Sequence, residues 1–171
     1  MPCSAEQLFS FLDRLGISYE TTEHPAIFNA EQGRDWYDKI PGLHCKNLFL
    51  EDEKGGLWLV LMHAEKRADL KRIARQAGSP RFSFAKPDVM VEVLGVTPGT
   101  ATPFALMNDT QRRVTLIVDE DVVRSETMNV HPLRNTASTT LKSSDFMKFV
   151  RALDYEPLVL SCGCEQAGND G

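Results

Sequence analysis

Two β-rich runs, Cys45 to Asp52 and Leu57 to His63, flank the loop Glu53-Lys54-Gly55-Gly56, and this pairing constrains the fold more than any other feature. Apolar runs on either side of a short glycine-containing loop read as an antiparallel hairpin. The middle of the chain is thereby committed to sheet, and the segments around it must pack on that sheet. The first run opens as His44-Cys45-Lys46-Asn47-Leu48-Phe49-Leu50, with a lysine and an asparagine at the mouth of an apolar stretch. An ammonium and a carboxamide there are fixed donors beside a buried wall, and such donors bind phosphate or a polarised carbonyl. Alone, the same run reads as the start of a half-buried strand whose lysine is solvated.

Around the hairpin the chain reads as interspersed helices and strands. Ser4 is placed to cap a first helix, with Leu8, Phe9, Phe11, Leu12 and Leu15 as its apolar stripe and Gly16 as its stop. A strand over residues 17–22 follows, then a helix over 30–37 that runs into a Pro41-Gly42 turn. Residues 68–77 carry a helical pattern with Leu70, Ile73, Ala74 and Ala77 inward, stopped by Gly78 and Pro80. A short helix over 86–94 is entered through Pro87. Residues 104–107 and 114–118 are expected to pair as a second hairpin through Asn108-Asp109. Short strands are expected at 127–130, 138–141 and 157–160. Between the last two, Ser143 or Ser144 caps a helix that faces the core through Phe146, Phe149, Val150 and Leu153. The fold class is α/β in the α+β sense, a mixed, mostly antiparallel sheet or barrel-like core with surrounding helices.

At 171 residues and 42% hydrophobic content, the chain has the size of one domain that buries its own core. That domain is expected over residues 1–161, with 162–171 as a disordered tail. A net charge of −5 excludes general packaging of nucleic acid, so any such partner must meet a local basic patch. No apolar run reaches the roughly 18 residues of a membrane span. The first residues lack the basic and apolar regions of a secretory signal, which makes the cytoplasm the expected location. Cys3, Cys45, Cys162 and Cys164 form no paired C-x-x-C framework, so free thiols in a reducing compartment are expected. Cys162-Gly163-Cys164 can alternatively clip a metal or form a strained disulfide. Cys45, beside Lys46, is either a thiol activated by the cation or a small apolar residue in a strand.

Two further segments accompany the Lys46-Asn47 motif. One is a Gly/Pro loop, Gly95-Val96-Thr97-Pro98-Gly99-Thr100-Ala101-Thr102-Pro103-Phe104; the other is the polar stretch from Asn129-Val130-His131-Pro132-Leu133 to Thr140. Together and in this order, the three resemble the free-standing aminoacyl-tRNA deacylases related to the editing insertion of bacterial prolyl-tRNA synthetase, also called the YbaK-like family. Among its branches the likeness is greatest to enzymes that hydrolyse alanyl-tRNA(Pro). It extends from about the first helix to Leu160 and leaves the Cys162-Gly163-Cys164 segment outside. Each motif alone is weak, and the ordered trio carries the resemblance.

The resemblance implies a trans-editing hydrolase acting on the acceptor end of tRNA(Pro) charged with alanine, with prolyl-tRNA synthetase as a candidate partner, and without cofactor, metal or membrane. Lys46 matches the family's essential lysine, Asn47 and His131 are implied pocket neighbours, and Gly99 to Pro103 is the Gly-x-x-x-Pro element. In that reading Lys46 clamps a phosphate or the ester region, and Asn47 orients the α-amino group or the ribose hydroxyls. His131 positions groups or handles a proton. Backbone N–H groups of Gly99, Thr100, Ala101 and Thr102 face the developing oxyanion, Pro103 stiffens the loop, and Ala101 leaves room for a methyl group and little more. The chemistry answers a size problem, because a missing methylene in a synthetase pocket is worth only about 1–3 kcal/mol and a second, smaller site must remove what slips through. No Ser-His-Asp or Cys-His set is discernible, so water attacks directly. Arg67, Lys71 and Arg75, spaced i, i+4, i+8 with Lys66 and Arg72 alongside, read as a basic stripe for tRNA or as an ordinary solvated helix face. Other readings remain: a deacylase for Cys-tRNA(Pro) or another mischarged tRNA, a non-catalytic tRNA-binding module of the same fold, and a thiol enzyme using Cys45.

Overall fold

The computed structural model describes residues 2–26 and 30–164 of the chain. In order, they form α1 (Ala5–Arg14), β1 (Tyr19–Glu23), α2 (Ala30–Tyr37), β2 (Leu43–Asp52), β3 (Leu57–His63), α3 (Leu70–Ala77), β4 (Phe82–Phe84) and α4 (Pro87–Leu94). Two 3-10 turns, Pro98–Thr100 and Pro103–Asn108, lead to β5 (Val114–Asp119), α5 (Glu120–Arg124), β6 (Thr127–Val130), β7 (Ala137–Lys142), α6 (Ser143–Ala152) and β8 (Leu158–Leu160). None of the described helices is long and apolar enough to cross a membrane.

The expected hairpin is β2–β3, antiparallel from Cys45↔His63 to Glu51↔Leu57. Its turn is organised by Asp52, whose carboxylate accepts from the Lys54 and Gly56 amides at 2.8 and 2.9 Å and from Trp58 Nε1 at 3.0 Å. Gly55 supplies the positive φ of +85° that such a tight connection requires. The strands run in the order β1-β7-β6-β2-β3-β5-β8, with β4 on β2. Pairs β2–β6, β3–β5 and β5–β8 are parallel, the others antiparallel. The sheet is therefore mixed, as expected. Because β1 and β8 end the order unpaired with one another, the described strands form an open sheet and not a closed barrel.

One core fills the face under α1, α4 and α6, where Leu8, Leu12, Leu94, Phe104, Phe146 and Phe149 are fully buried. A smaller core sits under α3 and joins Ile73 and Ala74 to Leu50, Val60, Met62, Phe82, Ile117 and Cys162. Ser4 caps α1 with a reciprocal bond to Gln7, as its position before an apolar stripe dictates.

Several expectations are corrected. Residues 104–107 are not a strand. Pro103 opens a 3-10 turn, the Thr102 hydroxyl caps it at Phe104 N, and four consecutive buried residues leave no period-two alternation for a hairpin. Asp119 caps α5, a helix hidden in the acidic run. β4, three residues long, is an edge strand too short to read. Helix α3 begins at Leu70 behind the Asp69 cap, so residue 68 belongs to an isolated bridge with Gly163 instead. Neither Ser143 nor Ser144 caps α6: Lys142 holds that position, and Ser143 Oγ pairs with Ser125 Oγ at 2.7 Å. Residues 162–164 are not a loose tail. Cys162 is fully buried, its carbonyl accepts from Asp69 N, and Cys164 N donates to Arg67 O. Residues 165–171 lie outside the described residues.

Candidate active site

Strand β2 belongs to both halves of the sheet. Its start pairs with β6 through Leu43↔Met128 and His44↔Asn129, and its end pairs with β4 through Leu50↔Phe84 to Asp52↔Phe82. Between those pairings β6 and β4 diverge, and the stretch from Cys45 to Phe49 borders the gap. Side chains alternate along the strand. Leu43, Cys45 and Phe49 pack in the main core, which puts Asn47 on their side. Lys46 lies on the opposite face, between His44 and the apolar pair Leu48 and Leu50. The structure thus separates the two members of the Lys46-Asn47 motif by face. Asn47 Oδ1 is buried without a hydrogen-bond partner among the described residues. Lys46 is half-buried; burial lowers its pKa, while the negative charge of Glu65 acts to raise it.

The Lys46 face of the first half-sheet is polar. His44 Nε2 donates to the Ile40 and Tyr37 carbonyls, and its ring stacks on Tyr37 at 4.2 Å. Asn129 is buried, donates through Nδ2 to the Pro41 carbonyl at 2.9 Å and accepts from the Thr140 hydroxyl. That clamp needs the adjacent Gly42, whose φ is +101° and whose added Cβ would stand 2.7 Å from Thr127 Oγ1 and 3.0 Å from Asn129 Nδ2. His24 donates from Nδ1 to the Pro25 carbonyl at 2.8 Å, so in its neutral form Nε2 accepts from Ser138 Oγ at 2.9 Å. The His24 ring lies 5.6 Å from Trp36 and 6.4 Å from the His131 ring.

His131 is held at both ends. Its Nδ1 donates to the Ala137 carbonyl at 3.1 Å, and its own carbonyl accepts from Thr102 Oγ1 at 2.6 Å. Burial pushes its pKa below the usual histidine range, so the neutral imidazole keeps an Nε2 lone pair that can accept a proton. The Thr102 bond couples the Gly/Pro loop to this wall. Within the loop, Thr100 N and Ala101 N donate to Thr97 O and Pro98 O at 2.9 and 3.4 Å. Of the expected oxyanion donors, Thr100 N and Ala101 N are thus engaged within the loop. Pro103 is buried and starts the 3-10 turn that seats Phe104 against Phe149.

The structure thus joins Thr102 and His131, lays Ala101 on the main core and sets Lys46 beside the same polar wall. It leaves Asn47 on the far face. Sequence reasoning missed His24. The signal was present as a second His-Pro pair, His24-Pro25, matching His131-Pro132. Cys45 is no activated nucleophile, because burial pushes its thiol up to about 12. Of the basic stripe, Lys66 is paired with Asp121, Arg72 donates to Gly163 O, and Arg67 precedes α3. Arg67, Lys71 and Arg75 are exposed. Among the described residues no group of three or more His, Cys, Asp or Glu side chains is arranged to hold a metal. An open cavity of about 400 Å³ lined by Cys3, Glu6, Gln7, Ser10, Arg14 and Met107 shares no residue with this site.

Residues 24–149 match the family model described as an aminoacyl-tRNA editing domain. A Danio rerio protein, "Prolyl-tRNA synthetase associated domain-containing protein 1", is 31% identical over 158 residues, covering 91% of this chain and 86% of its own length. "Prolyl-tRNA editing protein ProX" of Acetoanaerobium sticklandii is 33% identical over 142 residues, covering 82% and 87%. A solved structure of a candidate trans-editing enzyme for prolyl tRNA synthetase shares the fold, with a TM-score of 0.72 at 21% identity over 96% of this chain and 99% of that one. With the polar wall, the half-buried lysine and the tethered Gly/Pro loop, these matches establish that the chain belongs to the aminoacyl-tRNA editing domain family.

Proposed function

We propose that the chain is a trans-editing deacylase that hydrolyses Ala-tRNA(Pro), releasing alanine and the free 3′ end. The observation that carries the reading is the coupling of the Gly99–Pro103 loop to His131 through the Thr102 hydroxyl, next to the half-buried Lys46. Water attacks the ester carbonyl, the C–O bond to the ribose breaks, and the ribose oxygen takes a proton. His131 Nε2 positions or relays that proton, and the N–H groups of Gly99 and Thr102 stabilise the oxyanion. Lys46 clamps the phosphate of the terminal nucleotide, where partial desolvation strengthens its field. Thr100, Ala101 and Pro103 bound the space for the amino-acid side chain. Asn47 acts from the other side of β2 through the strand edge that carries it. Arg67, Lys71 and Arg75 contact the tRNA backbone, and prolyl-tRNA synthetase is the enzyme whose product is corrected.

The test is deacylation of Ala-, Cys-, Ser- and Pro-charged tRNA(Pro) by wild type and Lys46→Ala. Preferred hydrolysis of the alanyl ester, lost in the variant, supports the reading. Preference for the cysteinyl ester moves the specificity, and binding without hydrolysis leaves a regulatory module. A trapped acyl-enzyme would refute direct water attack.

A further inference from the structure

An aminoacyl ester carries an α-amino group, whose ordinary pKa of about 7.7–8.0 leaves it largely cationic at neutral pH. The face of β2 that carries Lys46 offers such a cation no partner of its own. Lys46 repels it, and Asn47, the other polar member of the motif, lies on the opposite side of the strand. The carboxylate that reaches this face comes from outside the three motifs, from Glu65 in the turn after β3.

That turn is fastened to the start of β2. Cys45 pairs with His63, Ala64 N donates to His44 O at 2.8 Å, and Glu65 N donates to His63 Nδ1 at 3.1 Å. From there the Glu65 side chain reaches α2, where its Oε2 lies 3.8 Å from Arg34 Nη2. Arg34 and Tyr37, three residues apart, are neighbours on the helix surface, and Tyr37 stacks on His44. His44 and Lys46, two residues apart, share one face of β2. The Glu65 carboxylate therefore stands at the rim of the Lys46 face. Burial is the main influence on the pKa values of Lys46, His44 and Tyr37, and the Glu65 charge acts on all three to raise them. The Glu65 side chain is 46% exposed, and one contact of 3.8 Å between exposed groups costs little to open. Other carboxylates are more firmly held: Glu23, beside His24, is bidentate to Arg134, and Asp121 pairs with Lys66.

We propose that Glu65 binds the α-ammonium of the aminoacyl end, exchanging Arg34 for the substrate's cation, and so selects aminoacyl esters over hydroxyacyl esters of the same size. This rests on the deacylase reading for its substrate, but it is testable without catalysis. The probes are two short RNA oligonucleotides ending in CCA whose terminal 3′ oxygen is replaced by an amide nitrogen. One carries alanine and the other lactic acid, which has a hydroxyl in place of the ammonium. Titrated into the full chain, the alanyl amide should bind wild type about threefold to fivefold more tightly than the lactyl amide, the size of one partly exposed ion pair. Glu65→Gln should abolish that preference by weakening the alanyl amide alone, with melting unchanged. No preference in wild type, a preference that survives Glu65→Gln, equal weakening of both probes, or no binding of either by wild type overturns the assignment. Hydrolysis of Ala-tRNA(Pro), assayed separately, decides the deacylase reading whichever way the titration goes.

Discussion

On the half-sheet of β1, β7, β6 and the start of β2, the face toward α2 carries His24, Ser138, Thr140, Asn129 and His44. On the other half, the same face of β2 carries Leu48 and Leu50, packed with Val60, Met62 and Ile117 under α3. The first half satisfies each named polar group with a specific hydrogen bond, from Asn129 to Pro41 O or from His24 to Ser138. The second has little to pair and is held by apolar burial. Lys46 stands where the two meet, with hydrogen-bonding groups on one side and a desolvating wall on the other. A single strand can thus serve as site wall and core wall because its two ends pair with different neighbours.

The comparison can be broken most forcefully by Leu50→Ala. Truncating this fully buried side chain should cost about 2–5 kcal/mol, read as a shifted denaturant midpoint, while the protein that remains folded keeps its specific activity. Lys46→Ala should do the reverse. Loss of one charge-stabilising group costs about 10²–10³ in turnover, whereas melting should move little because the half-buried ammonium has no ion pair among the described residues. If Lys46→Ala unfolds the chain, the junction is structural and the division between the halves fails.

Smaller changes sharpen it. Thr102→Val removes the bond to His131 O and leaves that acceptor unpaired, which should lower stability by about 1–3 kcal/mol; single-turnover rates should fall along with it. The polar half should also titrate. Burial holds both His44 and His131 below the ordinary histidine range. The unfolded chain therefore binds more protons than the folded one in mild acid. Stability is fully present above about pH 6.5 and falls as pH drops through the lowered folded values. Melting temperature against pH should show this, and His131→Gln should make the fall shallower. Least affected should be the outer surface. Lys71→Glu should leave melting unchanged and weaken tRNA binding, with a shallower dependence of log Kd on log salt.

The long hairpin, the capped first helix and the order of the three motifs were legible because local chemistry carries them: a tight glycine turn, a Ser4–Gln7 capping box, and apolar periods of two and 3.6. Residues 104–107 were misread because four buried apolar residues in a row suit a strand as well as a 3-10 turn, and only Pro103 and the Thr102 cap decide between them. His24 was overlooked for a different reason. Its partner Ser138 is 114 residues away, and no local pattern reports a contact of that length.

By itself, the sequence determined that a sheet would form at Cys45–His63, which residues could cap and turn, and which polar groups were available for chemistry. Tertiary structure alone decided which of these share a face. It put Lys46 and Asn47 on opposite sides of one strand, tied Thr102 to His131, buried the Cys45 thiol and pinned Cys162 beneath α3. The reason is that turn and cap preferences are set within a few residues, whereas burial and pairing depend on which strands become neighbours, and that follows from closing the whole core.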